Sequence, residues 1–258
     1  MDIPTLLADL GSTPSATARA TGLARSTIQR MRAGVTSPTL ESLRELALAA
    51  GYDLEVGLVP ASDPAAAIAA RVLVDPATPE LDGLESVGVV DAAEVAEVAR
   101  WVSRLQRLAG DDPAQLALLA GRYSAPQHRK GARFFAPKPG IAQERIIDIA
   151  NGALGGILGA LSGTAAARAY LGHAPDPGPV VAWTIAVDAV ADRLAATLLE
   201  VEEFQPAGVL VAPTMRPYFV DLMPAGAGHR KIVAPIQAVI DLYGLGYDGL
   251  ATEITEGW

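Results

Sequence analysis

Apolar positions in the first fifty residues recur at helical spacing, and proline and glycine punctuate them. Thr13 precedes Pro14, and a helix-capping residue followed by proline at the first helical position is a strong start signal. The helix so begun runs through SATARAT to Gly22, a glycine where a helix C-terminus favours one. A second helix is predicted from about Arg25 to Ala33, stopped by Gly34. Ser37-Pro38 repeats the cap-then-proline start before an apolar stripe of Leu40, Leu43, Leu46, Ala47 and Leu48, which Gly51 closes. Residues 52–60 (YDLEVGLVP) alternate polar and apolar and predict a short strand.

Further along, residues 61–83 carry Asp and Pro breaks, and DPATPELDG reads as a linker or exposed loop. Residues 91–109 predict an amphipathic helix with Val95, Val98, Trp101, Val102, Leu105 and Leu108 on one side. Asp112-Pro113 starts another, ending near Gly121. GRYSAPQHRKGARFFAPKPG is rich in glycine, proline and bases, and reads as a loop or β-hairpin. From residue 141 strands and helices alternate. Strands are predicted at 179–187, 207–213, 218–223 and at KIV; helices at 142–150, 164–171, from the capping Asp188 to about Leu199, after Pro235 and at the end of the chain. The expectation is an α+β multidomain protein: an all-α domain at 1–60, a linker and helical middle segment at 61–140, and an α/β domain with a small mixed sheet at 141–258.

Composition narrows the chemistry. Half of the 258 residues are apolar and 19% are charged, enough to bury a sizeable core and against general disorder. The absence of cysteine removes disulfides, thiolate metal sites and cysteine nucleophiles. A histidine metal cluster would need nearly all of His128, His173 and His229, so neither metal nor cofactor is expected. No apolar run reaches a membrane span and no leader pattern opens the chain, so a cytoplasmic protein is expected.

The net charge is −9, but charge is segregated. Residues 12–34 hold Arg19, Arg25, Arg30 and Arg32 with no acid; residues 122–138 hold Arg122, Arg129, Lys130, Arg133 and Lys138, again with no acid. Two basic islands on an acidic body suit a polyanion touched at chosen places, or are solvated faces.

The first island is the more specific. Two helices joined at Gly22 have helix-turn-helix spacing, with Leu23, Ile28 and Met31 turned inward. Arg25, Ser26, Gln29 and Arg30 are left outward on the second helix. Arginine can bond guanine twice, glutamine can bond adenine twice, and serine suits a base edge or a phosphate. Arg32 and Arg19 suit phosphates, as do Thr13, Thr27 and Ser37 through hydroxyls or helix amides.

On these residues, and on Ala18, Gly34, Pro38-Thr39-Leu40, Leu43, Leu46, Ala47 and Gly51, residues 1–60 resemble the Cro/repressor-type (xenobiotic-response-element) helix-turn-helix family. The resemblance implies a five-helix domain that reads double-stranded DNA with Arg25 and its neighbours. Thr17 stands where the family usually has leucine, Pro14 where many members have glutamine, and the strand-like 53–60 replaces the fifth helix.

Residues 140–258 are similar to the C-terminal domain of the AbiEi-type type IV antitoxins, through Ser162-Gly163-Thr164-Ala165-Ala166 and the run Val233-Ala234-Pro235-Ile236-Gln237 leading to Asp241-Leu242. This resemblance implies a regulator or antitoxin that binds its own promoter, with a toxin partner encoded nearby, on a fold resembling nucleotidyltransferases. Nucleotidyl transfer needs a phosphate loop and two or three carboxylates for Mg²⁺. Ser162-Gly163-Thr164 is a weak version of the loop, Asp188 reads as a helix cap, and Asp221 is the one mid-strand acid; no enzyme is expected.

The reading is therefore a sequence-specific DNA-binding transcription regulator, a repressor acting as a homodimer, with an antitoxin as the alternative and a nucleotidyltransferase as a more distant one. GARFFAP puts aromatics among bases, so Arg129, Lys130 and Arg133 form either a second DNA contact or a hairpin whose phenylalanines face the core.

Overall fold

In the computed structural model, residues 5, 6, 8, 10, 13–76, 78, 92–214, 223–225 and 230–256 are described, and they form an α+β structure. The chain divides into two compact units, Met1–Val59 and Pro60–Trp258.

The first unit is helical. Helix α1 (Pro14–Thr21) starts as predicted: the Ala16 amide donates to Thr13 Oγ1 at 3.3 Å, and Pro14 occupies the first turn. Gly22 ends it in the left-handed region (φ 70°), where a side chain would be strained, and its amide donates to Ala18 O. Helix α2 spans Arg25–Arg32 and α3 spans Leu40–Ala49. The cap of α3 is Thr39, whose hydroxyl accepts from the Ser42 amide, rather than Ser37: Pro38 precedes the cap instead of opening the first turn. Leu6, Met31, Leu46 and Ala47 form the core, with Leu10, Leu23, Leu43, Ala50 and Leu54 packed on it. The strand expected at 52–60 does not form. No strand lies beside it, so its alternation has no ladder to join among the described residues.

The second unit opens with α4 (Pro64–Val74), capped by Asp63 in the same cap-then-proline manner as α1. The Asp and Pro breaks of 61–83 hide this helix in the sequence. The DPATPELDG segment falls mostly outside the described residues. Helices α5 (Ala92–Ala109) and α6 (Pro113–Ser124) follow, with α6 running one turn past Gly121. The sheet elements are β1 (Arg133–Ala136), β2 (Gly159–Gly163), β3 (Val180–Thr184), β4 (Leu199–Val201), β5 (Val209–Pro213), β6 (Met223–Ala225) and β7 (Arg230–Ile232). Between and after them lie α7 (Gln143–Ala153), α8 (Thr164–Leu171), α9 (Val187–Ala195), α10 (Pro235–Leu245) and α11 (Asp248–Thr255).

The sheet is mixed, in the order β4-β1-β5-β3-β2-β7-β6, with β3/β5 and β2/β7 parallel and the other pairs antiparallel. Trp183, Phe135, Ile146 and Ile147 anchor the core around it. A second core joins α4, α5 and α6 to α10 and α11, so the middle segment and the C-terminal elements share one interior. Helices α6 and α10 cross at glycine. A Cβ on Gly121 would lie 2.5 Å from Ile240 O and 2.7 Å from Tyr243 Cβ, a distance real side chains do not adopt.

Candidate nucleic-acid interface

An α-helix turns 100° per residue, which decides which side chains α2 can present. Counted from Arg25, Gln29 lies about 40° round the helix, Ser26 about 100° and Arg30 about 140°. Ile28 and Met31 lie on the opposite side, and both are buried. Burial follows this geometry: Arg25, Ser26, Gln29 and Arg30 are all exposed, while Thr27, on the flank nearer Met31, is half-buried. The face is acid-free; no carboxylate falls between residues 10 and 40, and none pairs with Arg19, Arg25 or Arg30 among the described residues. Helix α2 has neither a side-chain cap nor an acid in its first turn, so no side chain of its own offsets the helix dipole at its N-terminus. Thr13, Arg19 and Ser37 are exposed around it.

Arg32, expected to meet phosphate, is exposed and also makes a contact within the first unit. Its Nη2 donates to Thr17 Oγ1 at 3.3 Å, tying α2 back to α1. Thr17 is buried and its hydroxyl also donates to Thr13 O. The threonine that departs from the family pattern is thus hydrogen-bonded on both sides, and Thr21 continues the chain by donating to Thr17 O. Residues 1–59 hold five arginines and six carboxylates, so they carry −1 of the net charge of −9 and leave most of the acid to the second unit.

The second basic island is not brought together as a surface. Arg129 is buried, donating to Ser62 O and Ser124 O, with its guanidinium 5.4 Å from the Trp183 ring centroid. Arg133 lies on β1, which is an interior strand between β4 and β5 rather than a hairpin arm. It makes a bidentate pair with Glu200 at 2.7 and 2.8 Å and reaches Asp188 at 3.3 Å. The Glu200 hydrogen bond holds the Arg133 guanidinium further up and pulls the Glu200 carboxyl down. Lys130 alone of the three stands exposed without such a pair. The two phenylalanines stay on the protein side: Phe135 is in the core and Phe134 stacks edge-on with Phe204.

Among the described residues, no group of carboxylates and histidines is brought together that could hold a metal. Asp188 lies in the first turn of α9 without capping it, because Val187 begins the helix, and it turns to Arg133 instead. Asp221, with most of the strand predicted at 218–223, and His229 lie outside the described residues. His173 is exposed and bonds Glu253 at 2.8 Å. Trp101 and Trp183 are core residues, as expected of aromatics on an amphipathic helix and mid-strand.

One buried polar cluster lies apart from the residues predicted to form a site. Asp241 is fully buried on α10, accepting from Trp183 Nε1 at 2.7 Å and from Gln237 Nε2 at 2.8 Å. Burial pushes its carboxyl up to about 6, offset in part by the Trp183 and Gln237 donors and the Arg129 charge. The signal was present in the sequence: Gln237 and Asp241 are an i, i+4 polar pair on an otherwise apolar helix.

With the geometry in place, comparison adds a family for the first unit. Residues 6–56 match the helix-turn-helix family. That match covers α1, the Gly22 turn, α2 and α3, and identifies a DNA-binding domain of the transcription-regulator class. No curated protein and no solved structure matches the chain.

Proposed function

We propose that this protein is a repressor that reads an operator in double-stranded DNA with α2, binding as a homodimer. The observation that carries the reading is the α2 surface: Arg25, Ser26, Gln29 and Arg30 share one exposed, acid-free face directly opposite the buried Ile28 and Met31. A helix of eight residues is about 12 Å long and covers three or four base pairs, too few for a unique site, which is why a two-fold pair of such helices is the usual solution. In this reading Arg25, Gln29 and Arg30 contact base edges, Ser26 a base edge or phosphate, and Thr13, Arg19, Thr27 and Ser37 the flanking backbone. Arg32 holds α2 at its angle to α1 through Thr17. The acidic second unit lowers nonspecific affinity for the polyanion, and the protein acts by occupying DNA rather than by catalysis. Footprinting on the DNA upstream of its own gene tests this. Protection of two half-sites about 34 Å apart is expected, and absence of sequence-dependent protection at low salt would refute it.

One observation favours a second reading, an antitoxin that represses its own promoter. The two stretches that carry the AbiEi resemblance, 162–166 and 233–242, share one core through Ala165, Ala166, Val233 and Ala238. Its test is co-expression with the product of the adjacent gene: relief of that product's toxicity supports the antitoxin role, and unrelieved or absent toxicity removes it.

A further inference from the structure

The seam between α4 and α5, which pack on each other in the second core, is open at one place. A cavity of about 150 Å³ lies there, lined by Asp63, Ala65 and Ile68 on one side and Glu94, Glu97 and Val98 on the other. Ala65, Ile68 and Val98 are buried and give it an apolar floor. The three acids are half-buried, and no base among the described residues lines the cavity. An apolar cavity of this volume holds a single benzene-sized ring. All of these residues belong to the second unit, so nothing about the cavity depends on the DNA reading.

The surroundings select the charge of an occupant. From Val72 to Ala99 the sequence carries seven carboxylates, Glu94 and Glu97 among them, and no lysine, arginine or histidine. Glu94 and Glu97 lie three residues apart on α5 and so share a face. Arg100 pairs with Glu97, but its side chain is 66% exposed, and an ion pair at the surface contributes little. A cation held against the apolar floor displaces it. Asp63 is committed to the wall: its Oδ1 accepts from the Ala65 amide at 2.9 Å and its Oδ2 from Trp101 Nε1 at 2.8 Å. An inorganic cation does not suit the site, because half of the wall is hydrocarbon and, among the described residues, no group of carboxylates and histidines could hold a metal.

We propose that this cavity binds a small organic cation with an apolar body, an arylalkyl or branched alkyl amine. Its hydrocarbon part rests on Ala65, Ile68 and Val98, and its ammonium group faces Glu94 and Glu97. Burial of the apolar part supplies most of the affinity, and the two carboxylates select for positive charge. Occupancy has a reporter already in place. Trp101 is bonded to Asp63, which lines the cavity, whereas Trp183 is bonded to Asp241 on α10.

Benzylamine is the probe, with benzyl alcohol and benzoate as its uncharged and negative counterparts. The chain has three tryptophans, so the indole N–H region of an amide-correlation spectrum is simple, and Trp101→Phe identifies the Trp101 resonance by its loss. In the full-length protein benzylamine should move that resonance saturably and leave the Trp183 resonance in place. Its half-saturation concentration should be several-fold below that of benzyl alcohol, and benzoate should not bind. Salt at about 1 M, where the screening length is about 3 Å, should remove the advantage of the amine over the alcohol. The double variant Glu94→Gln/Glu97→Gln, in which neither side chain is buried, should bind the amine only as well as the alcohol, with its Trp183 resonance at the wild-type position showing an intact fold. A Trp101 resonance that does not move, equal half-saturation for amine and alcohol at low salt, or undiminished amine binding by the double variant overturns the proposal.

Discussion

Replacing Asp241 with asparagine should abolish one specific component of the pH dependence of stability. The carboxyl is fully buried and its pKa rises from 3.8 to about 6 on folding. A raised folded-state pKa means that the native protein binds the proton more tightly than the unfolded chain. The stabilisation is therefore fully present below pH 4 and is lost as pH rises through about 6. At about 1.36 kcal/mol per unit, the shift of about two units is worth about 3 kcal/mol. Asparagine keeps one acceptor for Trp183 or Gln237 and does not titrate. Urea unfolding of wild type and Asp241→Asn, followed by tryptophan fluorescence, measures this cleanly, because Trp101, Trp183 and Trp258 all belong to the second unit. Moving from pH 7.5 to pH 4 should shift the stability difference in favour of wild type by about 2 kcal/mol, most of the full effect. Exposed carboxylates such as Glu200 titrate equally in both proteins and cancel. A difference that stays constant over that range would refute the account of Asp241 as a buried, titrating group.

Three other substitutions test separate parts of the structure. Gly121→Ala should destabilise the second unit by about 1–3 kcal/mol in thermal melts, since its methyl group meets the α10 backbone at Ile240 O. Thr17→Val keeps the shape but removes the acceptor for Arg32; the first unit should lose about 1 kcal/mol, measured by amide hydrogen exchange in α1 and α2. Arg129→Ala should lower the unfolding midpoint of the second unit, because the guanidinium is buried among Ser62, Ser124 and Trp183, while the dependence of DNA affinity on salt stays unchanged.

How far the sequence could be read depended on how local the determinants were. Cap-then-proline starts and closing glycines are properties of four or five adjacent residues, so α1 and α6 are legible from their starts, and α1 and α2 from the glycines that follow them. The outward face of α2 was equally local, being set by helical periodicity alone. Asp63-Pro64 carried the same start signal for α4, but an alanine-rich run between two Asp-Pro breaks obscured it. Strand β2 (GALSG) has no alternation because it is buried on both faces, so its small residues resemble a glycine-rich turn. The fates of the bases depended on distant partners. Arg133 is neutralised by Glu200, 67 positions away, and Arg129 is enclosed by residues that only the folded second unit brings near. Residues 52–60 fail differently: the alternation is real, but a strand also needs a neighbour, and no described residue supplies one.

The central claim is that α2 reads DNA through its exposed face. Anisotropy titration of a labelled operator fragment with wild type, Arg25→Ala and Arg30→Ala, repeated at several salt concentrations, tests it most directly. Each substitution should weaken binding by about 1–3 kcal/mol and reduce discrimination against mismatched operators. Both variants should keep wild-type helical content, because neither side chain packs inside the unit. Affinity and discrimination unchanged in both variants would contradict the claim.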